Sequence, residues 1–260
     1  MDHQDKLGRA KEHLDALDES VRVFSVRYPY TLSPEFDAQQ GDYALYFRQQ
    51  KLIPRIWSLV LGDTIHNIRS ALDNLVYLLG VRHSGAPRTK REVERPQFVI
   101  ADTPGDFAIQ ASRRLFCLSP QAQAVTEGLQ PYQSAPGSAG NPLALLRDLN
   151  DIDKQRHLVL AYANLLAGTV RIAGPGIPPD GISILVRTGI LEDGTVVARY
   201  TLPASVKYAN VDVESGMVFQ FSLADSGQQG TSLSRLSANG SMTIFDYLRM
   251  RVFPRLEALL

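Results

Sequence analysis

The chain has 260 residues, 44% hydrophobic and 21% charged, ordinary globular values that exclude wholesale disorder. Lys and Arg number 27 against 27 Asp and Glu, so no overall basic excess is available for phosphate binding, and any nucleic-acid contact must be local. The single cysteine, Cys117, excludes an intramolecular disulfide framework and reads as a core thiol within Leu115-Phe116-Cys117-Leu118.

Residues 3–20 place Leu7, Ala10, Leu14 and Leu17 at helical spacing among charges. Val21-Arg22-Val23-Phe24-Ser25-Val26 alternates as a strand does, and Tyr30–Gln40 reads as the connection to a returning strand at Tyr43–Phe47. The expectation is a small N-terminal β-hairpin. Pro54 then opens the longest helix, near residues 52–80, and Gly80 closes it. Residues 82–96 read as an exposed, basic loop with Arg82, Arg88, Lys90, Arg91 and Arg95, a solvated surface in preference to a phosphate site.

Phe98-Val99-Ile100 reads as a short strand or extended segment. Asp106–Leu118 and Pro120–Leu129 read as helices, the second capped by Ser119. Gln133–Asn141 reads as a flexible link, and Asn141-Pro142 start a helix running to about Leu166. After Gly168 the hydrophobic period changes from helical to alternating. Ile182–Arg187, Thr195–Leu202, Val211–Val213 and Met217–Leu223 read as strands, and their aromatics Tyr200, Tyr208, Phe219 and Phe221 as core residues. A closing helix spans Ser241–Leu260, with Pro254 as a kink.

The fold expected is therefore α+β. It is a helical bundle around a long buried helix, with the small hairpin near its start and a β-rich insertion at about 169–224 before a C-terminal helix. Residues 1–166 form the mainly helical region, and residues 167–260 the β-rich region whose closing helix packs on the bundle. Ile53–Leu79 is interrupted by Arg55, Asp63, His66, Arg69 and Asp73, too many charges for a membrane span, and the polar N-terminus lacks an apolar leader. Both point to a cytoplasmic protein that does not enter a membrane.

The long helix carries the densest chemistry. On a helical wheel Ile65, Ile68, Leu72, Leu75, Val76 and Leu79 form a wide apolar face. Asp63, His66, Asn67, Ser70, Asp73, Asn74 and Tyr77 fall opposite, within about 120° of arc, with Arg69 at the boundary. Solvated helix faces usually carry Lys and Glu, whereas Asp, Asn, Ser and His are poor helix formers, so this stripe looks placed for contact. It serves either a site or an internal hydrogen-bond network.

A second dense segment is Leu149–Leu158. There Asp153 and His157 share a helical face with Leu146 and Leu149, flanked by Lys154 and Arg156. A carboxylate and an imidazole among leucines need partners, so the two segments are expected to meet across a helix–helix interface. His66, Arg69, Asp73 and His157 then stand as the catalytic candidates. Asp63, Asn67, Asn74, Asp153, Lys154 and Arg156 stand as ligand-binding candidates.

Three chemistries fit such a cluster. Arg69 steadying a phosphate while His66 or His157 moves a proton suits a phosphodiester substrate. A purely structural network suits a non-enzymatic interaction protein. Paired Asp63/His66 and Asp153/His157 suit a metal–carboxylate bundle enzyme, although Arg69 and Lys154 bring repelling charge, so no metal and no cofactor are expected. Neither a phosphate-binding glycine loop nor a dinucleotide, zinc-protease or serine-hydrolase motif occurs in the sequence. Ser70 beside His66 lacks the exposed elbow and oxyanion donors of acyl transfer.

Arg69-Ser70-Ala71-Leu72-Asp73-Asn74 resembles the Arg-x4–6-His signature of HEPN-type helical domains, many of which are metal-independent ribonucleases in antiviral and toxin systems. Asn74 stands where that signature has histidine. The resemblance thus implies a HEPN-like protein, associated with RNA or nucleotides, that has lost activity or moved its histidine to His66. The longer succession Gly62-Asp63-x-x-His66-Asn67-x-Arg69-Ser70-Ala71-Leu72-Asp73, Leu129-Gln130-Pro131-Tyr132 and Asp153-Lys154-x-Arg156-His157-Leu158 resembles an uncharacterised bacterial protein family over most of residues 1–165, and implies no activity. The partners expected are an RNA or nucleotide ligand and a second copy of the chain, with no membrane.

Overall fold

The computed structural model describes residues 2–27, 29–134, 140–155, 160–178, 180–203, 212–223 and 243–260. The protein is α+β and divides into two compact units, one built of helices and the other holding the strands together with the last turns of the first helix. The first unit comprises Met1–Glu19, Ile56–Leu158 and Ser234–Leu260, the second Ser20–Arg55 and Val159–Leu233.

In the first unit the long helix α2 (Ile56–Ser84) is the core element. Trp57, Leu61, Ile65, Ile68, Leu72, Leu75, Val76 and Leu79 are all buried on its apolar face. Pro54 lies before the helix, and Gly80 lies inside it. Gly80 is therefore not a stop signal. A Cβ there would sit 2.6 Å from the Cys117 sulfur, so glycine is what allows the buried thiol to pack on the helix. Gly62 does the same at the other end, where a Cβ would meet Asp153 Oδ1 at 2.7 Å.

Short helices α3 (Lys90–Glu94), α4 (Pro104–Arg114) and α5 (Pro120–Gly128) follow. Thr103 and Ser119 cap α4 and α5, their side chains accepting from the Asp106 and Ala122 amides, and a proline opens each first turn. The helix α6 (Pro142–Gln155) packs on α2 through Leu143, Leu146 and Leu149. The chain closes with α7 (Ile244–Tyr247), a π-helical turn at Leu248–Val252 and α8 (Phe253–Glu257). Pro254 has no amide to continue a regular α-helix, which accounts for the interruption where a single helix is expected.

The helix α1 (His3–Val26) corrects the expected strand at Val21–Val26. No Gly or Pro interrupts residues 9–26, and Ser25 Oγ donates to the Val21 carbonyl one turn back at 2.9 Å. Continuity of the helix overrides a short alternating pattern.

The second unit holds two antiparallel sheets. The hairpin pairs β1 (Tyr30–Asp37) with β2 (Asp42–Gln49), so its first strand is the segment expected to be a connection. Pro34 is tolerated because β1 lies at the edge of the order β1-β2-β6, where β6 spans Val196–Tyr200. Asp37 Oδ1 accepts from the Gln39 and Gln40 amides, and Gly41 takes φ 71°, closing the turn.

The other sheet centres on β3 (Leu160–Ala173), which pairs with β4 (Ile182–Leu185), β5 (Gly189–Leu191) and β7 (Asp212–Leu223). The expected helix through Leu166 thus ends at Gln155, and the Ala- and Leu-rich run that follows is strand. Pairing along almost the whole of β7 outweighs its local helix preference. The link expected at Gln133–Asn141 falls largely outside the described residues.

Gly80→Ala is expected to destabilise the protein by about 1–3 kcal/mol through overpacking against the thiol. In a Cys117→Ala background the same change should be neutral or stabilising, because alanine exceeds glycine in helix preference by about 1 kcal/mol. Chemical denaturation of the four proteins in this cycle measures the sign change, and equal losses in both backgrounds would refute the packing account.

Candidate functional site

The polar stripe of α2 divides into three. At one edge Asn67 is buried. Its Nδ2 donates to the Asp63 carbonyl at 2.8 Å, and Lys6 Nζ from α1 approaches its Oδ1 at 3.4 Å. Along the middle Asp63 and His66 are exposed, with Ser70 Oγ 3.4 Å from His66 Nε2. Asn74 is half-buried. Asp63 and His66 find no third ligand: among the described residues no group of three or more His, Cys, Asp or Glu side chains could hold a metal ion.

At the other edge Arg69 and Asp73 act together on one peptide. Asp73 Oδ1 accepts from the Phe98 amide at 2.8 Å, Arg69 Nη2 donates to the Phe98 carbonyl, and the two side chains lie 3.4 Å apart. Both backbone groups of Phe98 are thereby satisfied by one turn of α2. Gln130, fully buried, does the same on the opposite side of the segment. It accepts from the Ala101 amide at 2.8 Å and donates to the Val99 and Thr126 carbonyls at 2.9 Å. Residues 97–101 are thus held by side chains, with no neighbouring strand among the described residues.

That segment, α2, α4 and α6 enclose a cleft of about 330 Å³. Arg69 and Asp73 line it from α2, Gln110 and Arg114 from α4, and Arg147, Asn150, Asp151 and Lys154 from α6. The spacing i, i+4 on α2 and α4, and i, i+3, i+4, i+7 on α6, puts each set on one helical face. Four cations and two carboxylates line the cleft, and two further carboxylates, Asp102 and Asp148, stand against Arg147.

The cations differ in their commitments. Arg69 is bound to Phe98 and Asp73. Arg147 pairs with Asp102 at 2.6 Å and Asp148 at 2.8 Å. Arg114 and Lys154 form no ion pair or hydrogen bond among the described residues. Burial pushes the Asp73 carboxyl above the ordinary 3.8, against the pull of Arg69, the Phe98 amide, Lys154 and Arg114.

The two dense segments of the sequence therefore meet in part. Lys154 shares the cleft with Arg69 and Asp73, and Asp153 packs on Gly62. His66 and Asp63 share the stripe with Asp73 but stand two turns or more toward the start of α2 and do not line the cleft, Asn67 turns toward α1, and Asn74 is not among the lining residues. Arg156 and His157 lie outside the described residues. Arg114, Arg147 and Asn150 were not singled out from the sequence. The signal for them was periodic: polar residues recurring at helical spacing on amphipathic helices, too common a pattern to stand out alone.

No protein-family model, curated protein or solved structure matches the chain. No described helix is long and apolar enough to cross a membrane.

Asp73→Ala leaves the Phe98 amide without an acceptor, and is expected to cost about 1–3 kcal/mol. His66→Ala and Asp63→Ala, at exposed positions, should stay within about 0.5 kcal/mol of the parent. Asp73→Asn tests the titration. A native pKa above 3.8 means that protonated Asp73 favours the folded state, and this contribution is lost as pH rises from 3.8 through the raised native value. The stability of Asp73→Asn relative to the parent should therefore increase across that window. Denaturation at a series of pH values reads it, and a constant difference would contradict it.

Proposed function

We propose that this protein binds a phosphate-bearing ligand of the RNA or nucleotide class in the cleft between α2, α4 and α6. The observation that carries the reading is the pair Arg114 and Lys154, two cations that reach a polar cleft without an ion-pair partner among the described residues. Arg114 is half-buried and Lys154 exposed at the mouth of the cleft, and both can donate to a phosphate through charge-assisted hydrogen bonds, which are stronger than neutral ones. Arg147, already paired with Asp102 and Asp148, is a fixed polar wall and not a free cation.

Within the HEPN-like reading this favours binding over strand cleavage. Arg69 is occupied by the Phe98 peptide, and His66 lies on the exposed face with Ser70 as its neighbour. A proton shuttle needs to stand within hydrogen-bond reach of the group it serves. The second reading, a non-enzymatic interaction protein whose polar stripe is a hydrogen-bond network, draws on the Arg69–Asp73 clamp, and the two are compatible. The clamp is structural and the cations beside it are available.

Titration calorimetry with inorganic phosphate, ribose 5-phosphate and the four ribonucleoside 5′-monophosphates tests the proposal. Saturable, salt-sensitive binding of at least one compound is expected, weakened roughly tenfold by Arg114→Gln and by Lys154→Gln. Binding by none of them, or binding indifferent to both substitutions, would overturn it.

A further inference from the structure

Two polar elements of the cleft are used neither by the Phe98 clamp nor by an ion pair. The first is Asn150 on α6. The residue is 8% exposed, its Nδ2 makes a single long contact, 3.4 Å to Asp151 Oδ1, and its Oδ1 makes no hydrogen bond among the described residues and is not sealed from solvent. A buried carboxamide ordinarily has partners for both donor and acceptor, and this one lines a cleft. The second is the peptide of Ile100. Along the extended segment Phe98 turns its N–H and C=O to α2, while Val99 and Ala101 bond Gln130 on the other side. By that alternation the Ile100 N–H and C=O point with those of Phe98, toward the cleft that Ile100 lines. No side chain or backbone group among the described residues meets them.

We propose that Asn150 and the Ile100 peptide form a base-reading wall, so that the ligand seated by Arg114 and Lys154 is a nucleoside monophosphate. The inference rests on the anion-binding reading and adds the class and orientation of the ligand. A nucleobase edge presents a hydrogen-bond donor and an acceptor side by side in one plane. An asparagine amide presents the complementary pair, and so does the N–H and C=O of one residue in extended chain. A sugar phosphate satisfies neither. The cleft's 330 Å³ lies at the low end of the roughly 300–1,000 Å³ typical of small-molecule sites, which suits one nucleotide and not a strand. The phosphate reaches the Arg114 and Lys154 side while the base lies against the 97–100 segment and α6.

Calorimetry on the full chain separates this from simple anion binding. At least one of AMP, CMP, GMP and UMP is expected to bind roughly tenfold or more tightly than ribose 5-phosphate. Asn150→Leu, similar in shape and without polar atoms, should remove that excess and leave ribose 5-phosphate binding unchanged. If Asn150→Leu does not fold, Asn150→Asp keeps the acceptor and loses the donors, and should reorder the preference among the four nucleotides. Equal affinity for ribose 5-phosphate and every nucleotide would overturn the base-reading wall and leave the anion site standing. Retention of the parental preference in both variants would also overturn it. Binding of none of the compounds would remove both proposals together.

Discussion

The Phe98 peptide is where the helical unit is decided. An extended segment with no strand beside it must still satisfy its N–H and C=O groups once it is buried. Here α2 supplies an acid and a base one turn apart, and the pair takes both backbone groups of a single residue. Gln130 supplies the same service from the other side. The segment is thereby fixed at a distance from α2 set by side chains instead of by a ladder. The space left beside it, closed by α4 and α6, is the cleft. Removing the clamp removes a wall, so structural and functional accounts of Arg69 and Asp73 are not rivals.

The electrostatic consequence is specific. Placing a carboxylate under a peptide amide in a shielded position costs desolvation, and Asp73 shows this in its raised pKa. Arg69 offsets that cost only in part, because its guanidinium is shared with the Phe98 carbonyl. The cations further out, Arg114 and Lys154, have no such demand on them. A zero net charge overall is consistent with two unpaired cations in one concavity, since focusing by low-dielectric walls depends on local charge and shape, not on the total.

How much of this the sequence carried varied with the range of the interactions involved. The α+β class, α2 and its apolar face, the Ser119 cap and the stretches of alternating residues after Gly168 are local patterns, and they were legible. The failures were at competing local signals. Val21–Val26 alternates but belongs to α1, and residues 160–166 resemble helix but pair with β7. Gly80 reads as a helix stop, and its true reason, the thiol of Cys117 thirty-seven residues on, is tertiary. The stripe on α2 was visible, and so was its meeting with the segment around Asp153. Its division into an α1-facing edge, an exposed middle and a clamp was not, because that depends on which neighbours stand at each edge.

Asn150 shows the same limit in a single residue. In sequence it is one more polar position near the end of an amphipathic helix. In the fold most of it is buried beside the fully buried Leu146 and Leu149, while its acceptor has no partner among the described residues and stays open to the cleft. An amide at the wall of a cleft keeps its hydrogen-bonding edge available, which an apolar side chain would not. An amide retained in such a place is explained if its partner arrives with the ligand. A ligand whose edge matches the amide is then favoured over one that leaves it unmatched, which is how a polar group in a cleft confers selectivity that a charged rim cannot.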